Sequence, residues 1–237
     1  MNILELKLKP QIDNSNRTKY PKWYFDIVKN PQNIENLLFY NLLPAKFYSS
    51  NISTNNIVGT FHQSYYDHSW LSMFRNMPRN HNNLDSKDII MFIQNESIGE
   101  KKRVAKYGDE YYIISGNHRI CHAKFLKIDI LTCNITEYFF DHEAYKLYQE
   151  LLKIKATCTI VDKNNWNISI KNIYITIYKF NEVHRFLDIY KKIKYSKLKQ
   201  WLYQKFYKPE EYTHVTFSDE SNLIKKLKDT IIYYKLK

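Results

Sequence analysis

The sequence predicts an α+β protein built in two parts, and three observations carry that expectation. Between Lys102 and Thr136 the residues follow a strand, strand, helix, strand order. After Tyr138 the texture changes and cations become denser. With 44% hydrophobic residues, including 13 Phe, 4 Trp and 21 Tyr, the 237-residue chain has material for a packed core that disordered chains lack.

Taken in order, the first 60 residues mix short apolar runs with turn chemistry. Pro10, Pro21, Pro31 and Pro44 interrupt them, so Asp26–Val28 and Asn33–Tyr40 are expected as short helical or mixed segments. In His62–Met77 the spacing of Tyr66, Trp70, Met73, Phe74 and Met77 predicts a helix that Pro78 ends. Asp85 or Ser86 caps a second helix running through Ile89, Ile90 and Phe92 to about Asn95. Lys102–Tyr107, the turn Gly108-Asp-Glu110 and Tyr111–Ser115 predict a β-hairpin. Gly116-Asn117 break its second strand and open a helix to about Leu126, and Ile128–Thr136 form the next strand.

Beyond Tyr138, Phe140–Ile154 predicts a helix. Cys158–Val161 and Asn167–Tyr178 predict two strands joined by 162–166, and Asn181–Ile193, Ser196–Tyr207 and Ser221–Tyr234 predict helices. The expected domains are 1–138 and 139–237, the first with a net charge of +4 and the second with +8, from 19 Lys and Arg against 11 Asp and Glu.

The whole chain carries +12, but only six of its 36 cations are arginine: Arg17, Arg75, Arg79, Arg103, Arg119 and Arg185. Lys, Asn, Ile and Tyr all use AT-rich codons, so part of the excess reflects coding bias. A pI near 9.3 still attracts polyanions. No run of about 18 apolar residues predicts a membrane span, and the start has no apolar signal core. Cys121, Cys133 and Cys158 form no CxxC pair. A soluble cytoplasmic protein with no membrane partner is expected; its oligomeric state is not legible.

The segment Tyr112–Lys124 is the sharpest chemical signal. A strand stops at Gly116, the chain turns, and a helix begins with Arg119 in its first turn. Backbone N–H groups, the helix dipole and a guanidinium then suit a phosphate or another oxyanion. The bland reading is that Gly116 and Asn117 only cap a helix, with Asn117 as N-cap.

The run SGNHRICHAK, with YYIIS before it and LKIDILTCNI after it, resembles the ParB/sulfiredoxin superfamily. Gly116, Arg119, Ala123 and Lys124 fall where partition ParB proteins carry the glycine, second arginine, alanine and lysine of a GERRxRAAK-like box. Gly116, His118 and Arg119 match the GCHR box of sulfiredoxin, and Ile98–Ala105 resembles the lead into the first strand. The resemblance spans roughly residues 84–138. It implies a ParB/sulfiredoxin-like first domain followed by a smaller basic α+β domain, with nucleotide phosphates bound by Ser115, Gly116, Asn117, His118 and Arg119. A nucleoside triphosphate with Mg is the implied cofactor, and a mobile element or defence system the implied setting. Asn117 stands where sulfiredoxin has its catalytic cysteine, so sulfinic acid repair is not implied. Nor is a DNA-sliding clamp, since no ENxQR box or helix-turn-helix follows Tyr138.

An acid or base must come from elsewhere, and Glu96, Glu100 and His118 are the candidates; each carboxylate also reads as a solvated surface residue. His118 and His122 have the i, i+4 spacing of metal-binding helices. They lack the HExxH glutamate, Arg119 sits in its place, and no metal site is expected. His62, Asp67 and His68 form a looser polar cluster.

Arg185–Lys208 interleaves Arg185, Lys191, Lys192, Lys194, Lys197 and Lys199 with aromatics including Trp201. Such a segment neutralises phosphates and stacks bases, or else is an amphipathic helix pair with an aromatic core. Two function classes are therefore carried forward. One is a ParB-like nucleotide-binding or nucleic-acid-processing protein, an NTP hydrolase or nuclease; the other is a non-catalytic DNA-, nucleotide- or protein-binding module of the same fold.

Overall fold

A computed structural model describes residues 20–77, 86–95, 101–171, 173–192, 213–217, 221 and 223–225. The chain is mixed α+β and divides into two units, one ending at Phe140 and the other starting at Asp141.

In the first unit the order is α1 (Leu37–Tyr40), β1 (Lys46–Ser53), β2 (Ile57–Thr60), α2 (Trp70–Asn76), α3 (Ser86–Gln94), β3 (Arg103–Tyr107), β4 (Glu110–Ser115), α4 (Asn117–Phe125) and β5 (Ile130–Tyr138). The five strands form one mixed sheet in the order β1-β5-β3-β4-β2. β3 and β4 are the antiparallel hairpin, β5 returns parallel to β3, and β2 lies parallel to β4.

Alternation explains β5, where Leu131, Cys133 and Ile135 are buried between more exposed neighbours. Its antiparallel partner β1, by contrast, is an edge strand, mostly exposed, with sequence KFYSSNIS. Neither β1 nor β2 is among the short helical or mixed segments expected of the first 60 residues. Their apolar residues are too sparse to show a period of two, and pairing with β5 and β4 defines them instead. The helix expected over His62–Met77 is confined to Trp70–Asn76. Ser69 caps it through the Ser72 N–H, and the residues before it form turns.

The core joins α2, α4 and the inner sheet face. Phe74 and Phe125 stack at 4.4 Å, and Ile57, Ile113, Ile120 and Ile135 are buried beside them. Gly59 allows the closest approach, since a Cβ there would stand 2.2 Å from the Lys29 carbonyl oxygen.

The second unit begins with α5 (His142–Lys153), capped by Asp141 through the Ala144 N–H, followed by β6 (Thr157–Ile160), β7 (Trp166–Ile170) and β8 (Ile173–Ile177). Then come α6 (Phe180–Lys192) and β9 (Thr213–Thr216). The sheet order is β6-β7-β8-β9, antiparallel except for the last, parallel pair. The single strand expected over Asn167–Tyr178 is a correction. It is a hairpin turning at Lys171, whose φ is +57°. No Gly or Pro marks that turn, so the β-branched residues read as continuous. Helices α5 and α6 pack on each other and on the sheet, burying Leu147, Leu151, Val183, Phe186 and Leu187. The helix expected over Ser196–Tyr207 lies outside the described residues. Of the one expected from Ser221, the described residues Ser221 and Leu223–Lys225 are helical.

Candidate functional site

Strands β2 and β4 run in the same direction and end beside each other, with Thr60 paired to Ile113. Their carboxyl ends feed the turns that start at Phe61 and the glycine turn at Gly116. The Phe61 N–H donates to the Ile113 carbonyl (2.9 Å), and Thr60 Oγ1 donates to Asn117 Oδ1 (2.7 Å). The His62 N–H donates to Thr60 Oγ1 (3.1 Å). Two segments separated by more than fifty residues thus meet at one sheet edge, and His62 is brought there although sequence spacing does not link it to Asn117.

Gly116 itself is the N-cap of α4, at φ +83° and ψ +25°. That left-handed geometry suits glycine, and a Cβ would lie 3.1 Å from Lys102 Cα. Being a glycine, it has no side chain with which to cap the helix. Asn117 is the first helical residue rather than the cap, with its amide turned to Thr60. Ser115 Oγ donates to the Lys101 carbonyl (2.7 Å) and so closes the open end of the hairpin.

The side chains that follow divide between surface and core. His118 is half-exposed. His122, one turn on, is buried edge-on to Phe74, and its Nδ1 donates to the His118 carbonyl (2.6 Å). The two imidazoles therefore do not form a ligand pair, and among the described residues no group of three or more His, Cys, Asp or Glu is placed to hold a metal.

Arg119 is only 2% exposed, with its guanidinium 4.8 Å from the centroid of Phe92 on α3. Lys102, also buried, donates to the Ile93 carbonyl (2.9 Å) at the end of the same helix. Lys124 is buried as well. Its Nζ donates to the carbonyls of Thr54 (2.7 Å) and Ile57 (3.1 Å) and lies 4.8 Å from the Trp70 ring. Burial pushes its pKa down to about 8. Sequence reasoning missed both structural lysines. The available signal was a lysine set directly between Ala123 and Phe125 in a helix that is buried almost throughout.

No family model, curated protein or solved structure matches this chain.

Of the expected acid–base candidates, Glu96 and Glu100 lie outside the described residues, and His118 stands at the start of α4. Glu110 is tied to Lys29 and Tyr112. Glu137 is held below the usual carboxylate range, chiefly by the hydrogen bond from Lys106. In the second unit Arg185, Lys191 and Lys192 are exposed on α6, with Lys191 bonded to Glu150 (3.0 Å). Phe186, one of the interleaved aromatics, is fully buried and so belongs to the core. Lys194, Lys197, Lys199 and Trp201 lie outside the described residues.

Proposed function

We propose that the first unit binds the phosphate groups of a nucleotide or nucleic acid at Ser115–Arg119, as a divergent ParB-like nucleotide-binding or nucleic-acid-processing protein of a mobile element or defence system would. The observation that carries this reading is the left-handed Gly116, which as a glycine brings no capping side chain, opening a nine-residue helix at the carboxyl ends of two parallel strands. Helix starts of that kind favour anions through their N–H groups and dipole, and the half-buried His118 stands in the same first turn. Arg119 lies in the same first turn, buried against Phe92. The donors at the turn are amide N–H groups, the Asn117 carboxamide nitrogen and the His118 imidazole, since the Ser115 hydroxyl donates to the Lys101 carbonyl. They suit phosphate oxygens and not Mg2+, which prefers oxygen ligands. A bound Mg2+ would be held by the nucleotide's own phosphates, and no chemical step is assigned to it.

The non-catalytic module has one specific observation in its favour. The residues matching the family's arginine and lysine, Arg119 and Lys124, are both used in packing. Titrating CTP, ATP, GTP, ADP and inorganic phosphate against thermal stability tests the phosphate reading, because a ligand of the native state raises the melting temperature by mass action. A rise with turnover supports the processing enzyme, and a rise without turnover the binding module. No response to any of the five would end the phosphate-turn reading.

A further inference from the structure

Helices α5 and α6 cover one face of the second unit's sheet. Trp166, Ile168, Ile170, Ile173, Ile175 and Ile177 are all buried on the strands between them. Strand alternation sends the intervening residues to the opposite face. That face carries a hollow of about 380 Å³ whose lining includes Thr159, Asn167, Ser169, Tyr174, Thr176 and His214. Ile168 and Ile175 also line it, so the hollow offers apolar surface among hydroxyl, amide and imidazole groups and one aromatic ring. Thr176 Oγ1 lies 3.0 Å from Asn167 Oδ1 and 3.1 Å from His214 Nε2, so three strands share one hydrogen-bonded row along the floor. Tyr174 is 44% exposed on this face, and Tyr178, the residue just past the end of β8, is 61% exposed.

We propose that this sheet face is a binding platform for single-stranded nucleic acid, with Tyr174 and Tyr178 stacking bases and the Asn167–Thr176–His214 row meeting base edges. Three features select this occupant. Unstacked bases take a flat surface with aromatic rings and neutral donors and acceptors, whereas a duplex hides its base faces. Tyr174 stands on β8 and Tyr178 just beyond its end, four residues on. Where the chain stays extended that separation is roughly 13 Å, which an extended nucleic-acid strand covers in about two nucleotides. The unit also carries 19 Lys and Arg against 11 Asp and Glu, a net of +8 that complements a phosphate backbone. Two of those cations, Lys155 and Lys171, stand exposed at the same end of the sheet, just before β6 and just after β7. The platform is independent of the Gly116 turn and uses none of its residues.

Fluorescence anisotropy of the full chain with labelled 12-mers of oligo(U) and oligo(dT), and with a duplex of equal length, tests it. The single strands should bind more tightly than the duplex. Tyr174→Ala and Tyr178→Ala should each weaken single-strand binding by about five- to a hundredfold, the range for loss of one base–aromatic stack. Tyr174→Phe should keep most of the affinity. Because a stacking ring neutralises no phosphate, the salt dependence should keep its slope in the alanine variants. A thermal melt of each variant confirms folding, since both rings are substantially exposed. Wild-type affinity in both alanine variants, equal binding of duplex and single strand, no binding of either single strand, or preferential binding of a neutral oligosaccharide would each overturn the proposal.

Discussion

The guanidinium of Arg119 lies 4.8 Å from the centroid of the Phe92 ring, so the arginine that follows the glycine turn fastens α4 to α3. Arg119 itself is almost wholly desolvated, which strengthens a cation–π pair.

Arg119→Ala should therefore destabilise the ligand-free protein by about 2–4 kcal/mol, from loss of the cation–π contact and the packing of the stem. Arg119→Lys should lose less, roughly 1–2 kcal/mol, because the charge remains while the planar face goes. Urea unfolding measures both. An unchanged midpoint in the alanine variant would show that the stacking carries no structural weight. Repeating the melts with nucleotide then separates a ligand role, which appears only as a smaller ligand-induced shift.

Lys124 makes stability depend on pH in a definite direction. Its folded-state pKa, about 8, lies below the ordinary lysine value. The unfolded chain therefore holds more protons between the two values, and stability rises with pH there. The desolvation penalty is fully present below pH 8 and is relieved as pH rises through it. Between pH 8 and 9.5 wild type should gain roughly 1–2 kcal/mol over Lys124→Met. Cys158, pushed up to about 12 by burial, and Tyr107, likewise raised to about 12, act in the opposite sense at alkaline pH. Both are common to the two proteins, so the comparison subtracts them. Parallel stability curves over that window would refute the assignment.

The glycines should rank by what a methyl group meets. At Gly59 it would strike the Lys29 carbonyl oxygen at 2.2 Å and the Tyr112 ring at 2.6 Å, so Gly59→Ala should cost about 3 kcal/mol or more. Gly116→Ala adds left-handed strain to a 3.1 Å backbone contact, for a cost of about 1–3 kcal/mol. Gly108→Ala, at φ +59° with its nearest neighbour 3.6 Å away, should cost only the conformational part, about 1 kcal/mol. Thermal melts of the three variants check the order, and Gly108→Ala proving the most damaging would contradict it.

Lysines of the second unit should govern salt dependence. Changing Lys191, Lys192 and Lys194 together to Gln should weaken nucleic-acid binding and reduce the slope of log affinity against log salt by up to about 3. The same slope in the triple variant would leave these lysines as a solvated face, as the Lys191–Glu150 pair suits.

The hairpin, the helix from Asn117 and the strand after it were legible because each depends on neighbours in the chain. Alternation marks β5, the aromatic and β-branched run of Tyr111–Ile114 marks β4, and Gly108 and Gly116 punctuate the hairpin and the start of α4. The same holds for α5 and α6, whose apolar residues repeat every three or four positions. Strand β1 was not legible, since KFYSSNIS has no clear period and is a strand because β5 pairs with it. The turn at Lys171 was hidden by a run of β-branched residues without Gly or Pro.

At the candidate site the division is the same. The amino-acid order by itself determined that a glycine follows a strand and opens a helix, because backbone conformation at glycine is a local property. It also determined the net charge, which is a sum over residues and independent of folding. Only the tertiary structure decided that Arg119 and Lys124 lie in the core and that Thr60 meets Asn117. It alone decided that β7, β8 and β9 bring Asn167, Thr176 and His214 into one row. Burial and pairing depend on residues dozens of positions away. A buried cation is tolerated only where such distant carbonyls and rings converge on it, and no local pattern records that convergence.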